Sequence, residues 1–305
     1  MLSKLESRLS LRHLNLIVAI ADRGSLQAAA DAVGLTQSAV TKALQEAEAL
    51  VGAQLFTRGN RGVTKTPEGA ILVAHARLVL SQLRHAGQEL EDLRSGTGGR
   101  VAVGVSVSAA VRMLPEAIAA VRKTRPNLAI TVQEGTTDVL LPQLRQGELD
   151  LIIGRLPAFS VGGDVAEEIL CDDHARIVVR ADHPLLSQKR LTLRDLSNQP
   201  WVLPRPETSL RRQIDEAFRI ENAPAPTSYV ESVSILTNRA LVLVADHLAV
   251  WPVQLVAFEA GLGHIAPLPI ELPTMRQPIG ILTLRAARLS PAADTLIAAL
   301  KGLSA

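Results

Sequence analysis

The chain has a single cysteine, Cys171, in 305 residues. One thiol excludes an internal disulfide and a cysteine-built zinc site, and it fits a reducing, cytoplasmic setting in which the thiol is inert and half-buried. Aromatic residues amount to 2% against 47% hydrophobic residues overall, so the cores must be built from Ala, Val, Leu and Ile. No apolar run is clean enough to span a bilayer: the most apolar late segment, 240–258, carries Asp246, His247 and Pro252, which marks a buried element. No export signal is visible, because Lys4, Glu6, Arg8 and Arg12 interrupt the first residues before any apolar stretch. The 7 histidines include no pair at metal-ligand spacing, and there is no Gly-x-Ser-x-Gly elbow. The best phosphate-loop candidate, Gly96-Thr97-Gly98-Gly99, lacks both a preceding strand and a lysine. No metal, no cofactor and no enzymatic activity are therefore expected.

What is present is unevenly distributed. A length of 305 residues exceeds what one hydrophobic core usually organises, so two or three domains are expected. Residues 1–66 hold 8 Lys and Arg against 5 Asp and Glu, residues 67–98 hold 3 against 4, and the remainder hold 21 against 21. A local basic excess of this kind suggests one DNA-facing module carried by a neutral body.

That module is readable in detail. Ser25 is placed to cap a helix running to Val33, Gly34 supplies the position that ends it, and Thr36 caps the next helix two residues later. On the second helix Val40, Leu44, Ala47, Leu50 and Val51 recur at spacings of three and four and predict a buried face. Gln37, Ser38, Thr41, Lys42 and Gln45 fall on the opposite face, the short polar surface that a recognition helix presents to base edges and phosphates. From Thr57 to Thr66 the basic residues Arg58, Arg61 and Lys65 occur without an acid and with two glycines at a hairpin tip, which suits a wing lying on a phosphate backbone.

These residues resemble the N-terminal domain of LysR-type transcriptional regulators. The match runs through Leu11-Arg12-His13-Leu14, Gly24 to Ala30, Gln37 to Lys42, Leu55-Phe56, Arg61-Gly62-Val63 and Thr66-Pro67-Glu68-Gly69. Ser38 stands where a proline is usual and Lys42 where an arginine is usual. The lysine keeps the charge without the planar fork, which favours a phosphate contact over a bidentate base contact. The resemblance implies double-stranded promoter DNA as partner, with Ser25, Gln37, Ser38, Thr41, Lys42, Arg58 and Arg61 on the DNA side, and RNA polymerase as an open further partner.

After the wing, Thr66-Pro67-Glu68 reads as N-cap, first-turn proline and first-turn acid. Leu72, Ala76, Val79, Leu83, Ala86, Leu90 and Leu93 then follow spacings of 4, 3, 4, 3, 4 and 3, a heptad seam ended by Ser95-Gly96-Thr97-Gly98-Gly99. A helix of that length spans about 42 Å at about 1.5 Å per residue. Its position between a DNA-binding head and a Gly-rich hinge predicts a homodimer, and hence two-fold related half-sites.

Beyond the hinge, 100–107 reads as a strand, 110–123 as a helix, 128–133 as a strand, 137–146 as a helix and 149–153 as a strand, a βαβαβ run that implies a parallel sheet. A second set has strands at 175–180, 191–196, 201–203 and 227–231 with helices at 210–220 and 233–244, and strand 279–284 with helix 291–303 could return to the first sheet. The fold class is therefore α/β: a winged helix-turn-helix over 1–66, a linker helix over 67–95, and over 99–305 a periplasmic-binding-protein-like effector domain of two subdomains. Subdomain I takes about 99–172 and 268–305, subdomain II about 173–267.

The LysR resemblance extends through this half, on Pro126-Asn127-Leu128, Glu134-Gly135-Thr136, Leu144 to Gly154 and His183-Pro184-Leu185. Asp246 to Pro252 departs from the common pattern; with Gly154-Arg155-Leu156-Pro157 it is similar to the subgroup regulating protocatechuate catabolism or sugar uptake, which includes the galactose-binding-protein regulators. Ligands of open α/β sheets sit past the carboxyl ends of strands. That rule selects Ser106, Ser108, Thr136 and Thr137 on one side, and Leu203, Pro204, Ser232 and Ser234 on the other. The resemblance places Ser108 and Thr136 against the effector, and it implies pairing of dimers into homotetramers. Hydroxyls with apolar Leu203 and Pro204 opposite, and Arg155 past a strand end, suit an aromatic carboxylate or a sugar acid; Arg155 could instead pair with Asp164 or Glu167 at the surface. The competing readings are a solute-binding protein, which needs an export signal, and a hydrolase with a triad assembled from distant residues.

Overall fold

The computed structural model describes residues 8–59, 62–95, 98–157, 161–188, 190–272 and 276–303. It divides into two compact units, one of Met1–Ser95 with Arg145–Glu148 and Ala286–Arg288, the other of the remaining chain.

The first unit opens with three helices, α1 Leu11–Arg23, α2 Leu26–Val33 and α3 Gln37–Val51. Each starts on a hydroxyl cap: Ser10, Ser25 and Thr36 accept from the backbone N–H of His13, Ala28 and Ala39. Their shared core is aliphatic and small, with Ile17, Ile20, Ala29, Ala30, Val40 and Ala47 fully buried. A two-stranded antiparallel hairpin follows, β1 Phe56–Gly59 and β2 Gly62–Lys65, in the register Phe56↔Lys65 and Gly59↔Gly62. Gly62 has φ +110°, and a Cβ there would lie 2.5 Å from the carbonyl oxygen of Gly24, so both the conformation and the close approach require glycine.

Helix α4, Pro67–Ser95, begins where the Thr66 hydroxyl accepts from Gly69 N at 3.0 Å and donates to Gln54 O at 2.7 Å. A Cβ on Gly69 would stand 1.9 Å from the Leu55 carbonyl, so the helix leaves the hairpin at a distance only glycine allows. Arg77 of α4 pairs with Asp22 of α1. The heptad seam is divided between two tasks. Leu72 and Ala76 are covered within the unit, Leu72 packing against its core. Val79, Leu83 and Leu90 stand 44%, 47% and 58% exposed, with Ala86 exposed between them. Leu93 lies outside the residues whose side chains are described.

The second unit holds two five-stranded sheets joined by two crossings of the chain. The first sheet has the order β4-β3-β5-β12-β6, with β3 Arg100–Val105, β4 Ala129–Glu134, β5 Leu151–Arg155, β6 Val165–Cys171 and β12 Ile279–Leu284. Strand β3 runs parallel to β4 and β5, whereas β12 is antiparallel to β5 and β6. The sheet is therefore mixed, which corrects the all-parallel expectation: the βαβ pattern governs three strands, and β12 arrives from the other sheet. Strand β6 escaped notice because it is an edge strand whose exposed Glu167, Glu168 and Ile169 break the alternation. The helix expected over 110–123 is two, α5 Val107–Ala110 and α6 Met113–Thr124, broken at Val111-Arg112. Helix α7 takes Thr137–Gln146.

The second sheet has the order β11-β7-β10-β8-β9: β7 Ala175–Arg180, β8 Trp201–Leu203, β9 Tyr229–Glu231, β10 Leu248–Pro252 and β11 Ile265–Pro267. Strand β8 is parallel to both β9 and β10. The strand expected at 191–196 is a short helix, α8 Leu193–Leu196, because the Asp195 carboxylate accepts from Thr192 N (2.9 Å) and Thr192 Oγ1 (2.7 Å) and bends the chain into a turn. Helices α9 Ser209–Ile220, α10 Ile235–Val244, α11 Val253–Gly261 and α12 Pro291–Gly302 complete the fold. The apolar 240–258 segment thus contains part of a helix, a buried strand and part of another helix, and no described helix is long and apolar enough to cross a membrane.

The two crossings run side by side and share a buried cluster. Arg155 Nε, at the end of β5, lies 3.0 Å from Asp173 Oδ2 on the first crossing, and the Asp173 side chain is wholly buried. Asp173 was not among the partners, Asp164 and Glu167, that the sequence suggested for Arg155. Gln277 on the second crossing donates its backbone N–H to Asp173 O at 2.9 Å and its side chain to Leu156 O. Burial pushes the Asp173 carboxyl up against the opposing pull of Arg155, and burial pushes the Arg155 guanidinium down. Desolvation is the larger influence on both groups, which is why removing either partner is expected to cost more than replacing the pair together.

Two outcomes follow from this arrangement. Leu83→Glu puts facing carboxylates into an apolar layer and should lower the sedimenting mass to that of a monomer; a mass equal to the parent's places the contact elsewhere. Asp173→Asn, which removes the buried carboxylate facing the Arg155 guanidinium, should lower the unfolding free energy by about 3 kcal/mol, whereas the double change Arg155→Met with Asp173→Leu should restore most of it in the same denaturant titration.

Candidate DNA-binding and effector sites

Helix α3 presents its first two turns outward. Gln37, Ser38 and Lys42 are exposed and Thr41 is half-buried. Ser38 Oγ lies 3.0 Å from the capping Thr36 Oγ1, and Thr41 Oγ1 donates back to Gln37 O at 2.9 Å. These two hydroxyls are held by the helix start, so the Gln37 and Gln45 amides and the Lys42 ammonium are the groups on this face without a side-chain partner among the described residues. Ser25 is half-buried and its hydroxyl caps α2 at 3.4 Å, a positioning role toward α3. Arg58 is exposed on β1, and Arg61 lies outside the described residues.

Two backbone-directed contacts fix the hairpin to the helices. Glu48, on the inner half of α3, accepts from the backbone N–H of Leu55 at 2.8 Å and of Phe56 at 3.4 Å. The Gly24 carbonyl, at the turn between α1 and α2, accepts from Val63 N at 2.8 Å. The wing is thereby held to the recognition helix at one end and to the first turn at the other. Nothing in the spacing of Glu48 separates it from a solvated helix acid, so sequence reasoning passed over it.

The residues selected for an effector fall into two groups in the second unit. Ser106 follows β3 at the start of α5. Its Oγ lies 2.8 Å from Ser108 Oγ and accepts from Arg155 N at 3.4 Å. A Cβ on Gly154 would meet Ser106 Oγ at 2.0 Å, so the serine sits directly over the β5 backbone. Ser108 is 1% exposed and has the Ser106 hydroxyl as its partner. Thr136, half-buried after β4, starts α7 with its carbonyl, which accepts from Val139 N and Leu140 N at 3.0 and 2.9 Å. The hydroxyls of Thr136 and Thr137 have no hydrogen-bond partner among the described residues. Capping therefore does not consume them.

On the second sheet, Leu203 ends β8 and its carbonyl accepts from Ser232 N at 2.9 Å, which brings the ends of β8 and β9 together. The Pro204 carbonyl accepts from Arg211 Nη1 at 3.1 Å, and Arg211 lies 5.2 Å from the centre of the Tyr229 ring. Ser232 Oγ accepts from Ser234 N at 3.1 Å. Ser234 Oγ caps α10, accepting from Thr237 N at 3.4 Å and from Thr237 Oγ1 at 3.1 Å. For Ser232 and Ser234 the local capping role is the one the geometry displays. No cluster of His, Cys, Asp and Glu suited to a metal occurs among the described residues.

Comparison with known proteins agrees with this division. Residues 11–70 match the model of the bacterial regulatory helix-turn-helix protein, lysR family, and residues 94–305 match that of the LysR substrate binding domain. The chain is 35% identical over 301 residues to the HTH-type transcriptional regulator GbpR of Azospirillum brasilense, covering 98% of this chain and 88% of that one. It is 31% identical to the HTH-type transcriptional regulator PcaQ of Agrobacterium fabrum, over 92% of this chain and 90% of that one. Among solved structures, a full-length OxyR variant from Pseudomonas aeruginosa is similar with a TM-score of 0.64 and 26% identity, covering 96% of this chain and 94% of its own. With a capped helix pair and wing in one unit, two five-stranded sheets in the other, and family matches over both, the chain belongs to the LysR family of transcriptional regulators, with a helix-turn-helix DNA-binding domain and an effector-binding domain.

Proposed function

We propose that the chain reads promoter DNA with Gln37, Ser38, Thr41 and Lys42 of α3 in the major groove and with Arg58 and Arg61 of the wing against phosphates, as a dimer joined along α4. The observation that carries this reading is the fixed spacing of helix and wing: Glu48 and the Gly24 carbonyl tie the hairpin to the helices through backbone N–H groups, so both surfaces meet the duplex in one geometry. The exposed apolar stretch Val79, Leu83, Ala86 and Leu90 supports the dimer, and pairing of dimers into a tetramer extends it. The chain acts by binding, without turnover.

The effector is a small polar or anionic organic molecule, an aromatic carboxylate or a sugar acid, held between the strand ends near Ser108 and Thr136 on one sheet and Leu203 and Pro204 on the other. The partnerless Thr136 hydroxyl supports this placement, because it stands at the start of a ten-residue helix and is used by no cap. Binding there regulates DNA only through a difference in affinity between arrangements of the two sheets.

Gln37→Ala should relax base preference at one position of each half-site, while Arg58→Ala should weaken all duplexes alike and reduce the slope of log K against log salt by about one. Fluorescence anisotropy over a salt series distinguishes the two, and unchanged slopes and preferences in both variants would refute the placement. Thr136→Val should abolish the effector response of a promoter reporter while leaving effector-free DNA affinity unchanged; a response at the parent's effector concentration moves the sensing site elsewhere.

A further inference from the structure

Beyond its first turn, helix α3 carries five polar side chains, Thr41, Lys42, Gln45, Glu46 and Glu48. Three of them are engaged within the DNA-binding unit. Thr41 Oγ1 donates to Gln37 O at 2.9 Å, and Glu48 accepts from the backbone N–H of Leu55 and of Phe56 at the root of the wing. Glu46 Oε2 lies 3.7 Å from Nε2 of His13 on α1. The other ring nitrogen, Nδ1, accepts from Ser10 N at 3.2 Å, which leaves the imidazole proton on Nε2, facing that carboxylate. Both acids of the helix thus have protein donors beside them, and Lys42 and Gln45 are exposed with no side-chain partner among the described residues.

These two differ in what they can do in a groove. A lysine ammonium is a point charge that suits a phosphate. A glutamine amide sets an acceptor beside a donor, the complement of adenine N6 and N7 on the major-groove edge. At about 100° per residue, Gln45 falls in azimuth between Thr41 and Lys42, on the side of α3 away from the buried Val40, Leu44 and Ala47. Gln37 presents the same group two turns earlier, roughly 12 Å back along the axis at about 1.5 Å per residue. No arginine occurs on α3, so the forked guanine contact is absent from this helix. An exposed glutamine is ordinarily solvated and nothing more. Gln45 differs in standing amid a face whose other polar groups past the first turn are either held by the protein or cationic.

We infer that Gln45 is a second base-reading residue. With Gln37 it forms a pair of amides, each donating to adenine N7 and accepting from adenine N6, so that every half-site holds two required A·T pairs roughly two to four base pairs apart, the span that roughly 12 Å covers along the groove. Lys42 holds a phosphate beside them. This rests on the proposal that α3 enters the major groove, and it adds the identity and spacing of the bases read.

The test uses the full chain to select duplexes from a randomised pool, followed by fluorescence anisotropy on the enriched duplex and on its single-pair changes. The parent should lose about tenfold in affinity when either A·T pair is changed. Gln37→Ala should make one of these positions indifferent and Gln45→Ala the other, each variant keeping the preference that the remaining amide reads. Gln45→Arg should convert the second position from A·T to G·C, an exchange that a merely structural role would not produce. Alanine at an exposed helical position favours the helix, so the variants fold as the parent does. If Gln37→Ala relaxes one position while Gln45→Ala leaves every preference in place, the inference falls and the placement of α3 stands. If Gln45→Ala weakens all duplexes alike, the amide holds a phosphate and base reading by Gln45 is overturned. If neither variant changes any preference, the inference falls together with the placement it rests on.

Discussion

The sensing half of the molecule depends on one arrangement: two sheets share a single chain that passes between them twice, and Arg155, Asp173 and Gln277 meet where it passes. Everything selected for an effector lies at strand ends on either side of these crossings. Ser106 takes its position from Gly154 and from the Arg155 backbone N–H, one residue from the ion pair. Burial acts against the charge of Arg155 and of Asp173, and the contacts of Gln277 with Asp173 and Leu156 tie the two crossings together at that point. A change of angle between the sheets would have to be accommodated at these few residues.

The DNA-binding half is organised by close backbone approach. Its core is aliphatic and largely small, its hairpin touches the α1–α2 turn at a glycine, and its linker helix leaves past another. Glu48 adds the one side chain that converts this proximity into a fixed distance between helix and wing. On the proposed reading, the amide and hydroxyl groups of α3 face base edges, and Lys42 and the wing arginines hold phosphates.

Much of this was legible in the sequence where local chemistry decides the outcome. Ser25, Gly34 and Thr36 announce two helices through their caps, and the strand 175–180 and helix 137–146 stand out by their periodicity. What escaped was decided by distant partners or by competing local bonds. Strand β6 is an edge with acids on it, β10 is apolar at every position and so shows no period, and the Thr192–Asp195 capping box overrides an apolar run. Of the candidate effector residues, Ser232 and Ser234 cannot be separated from Thr136 by type or spacing, because whether a hydroxyl is consumed by a cap depends on backbone angles.

The divided seam of α4 has a rotational consequence. Leu72 and Ala76 anchor the helix to the DNA-binding head, and the exposed stretch starts three residues later at Val79, so head and dimer contact ride on one continuous rod. Each residue of an α-helix advances the azimuth by about 100°. If the proposed dimer forms along that stretch, the angle at which the two heads address the duplex is counted out in whole residues between Ala76 and Val79, and inserting a single alanine after Arg77 would swing each head by about 100° about the helix axis while leaving the Arg77–Asp22 pair and the order of the exposed apolar residues in place.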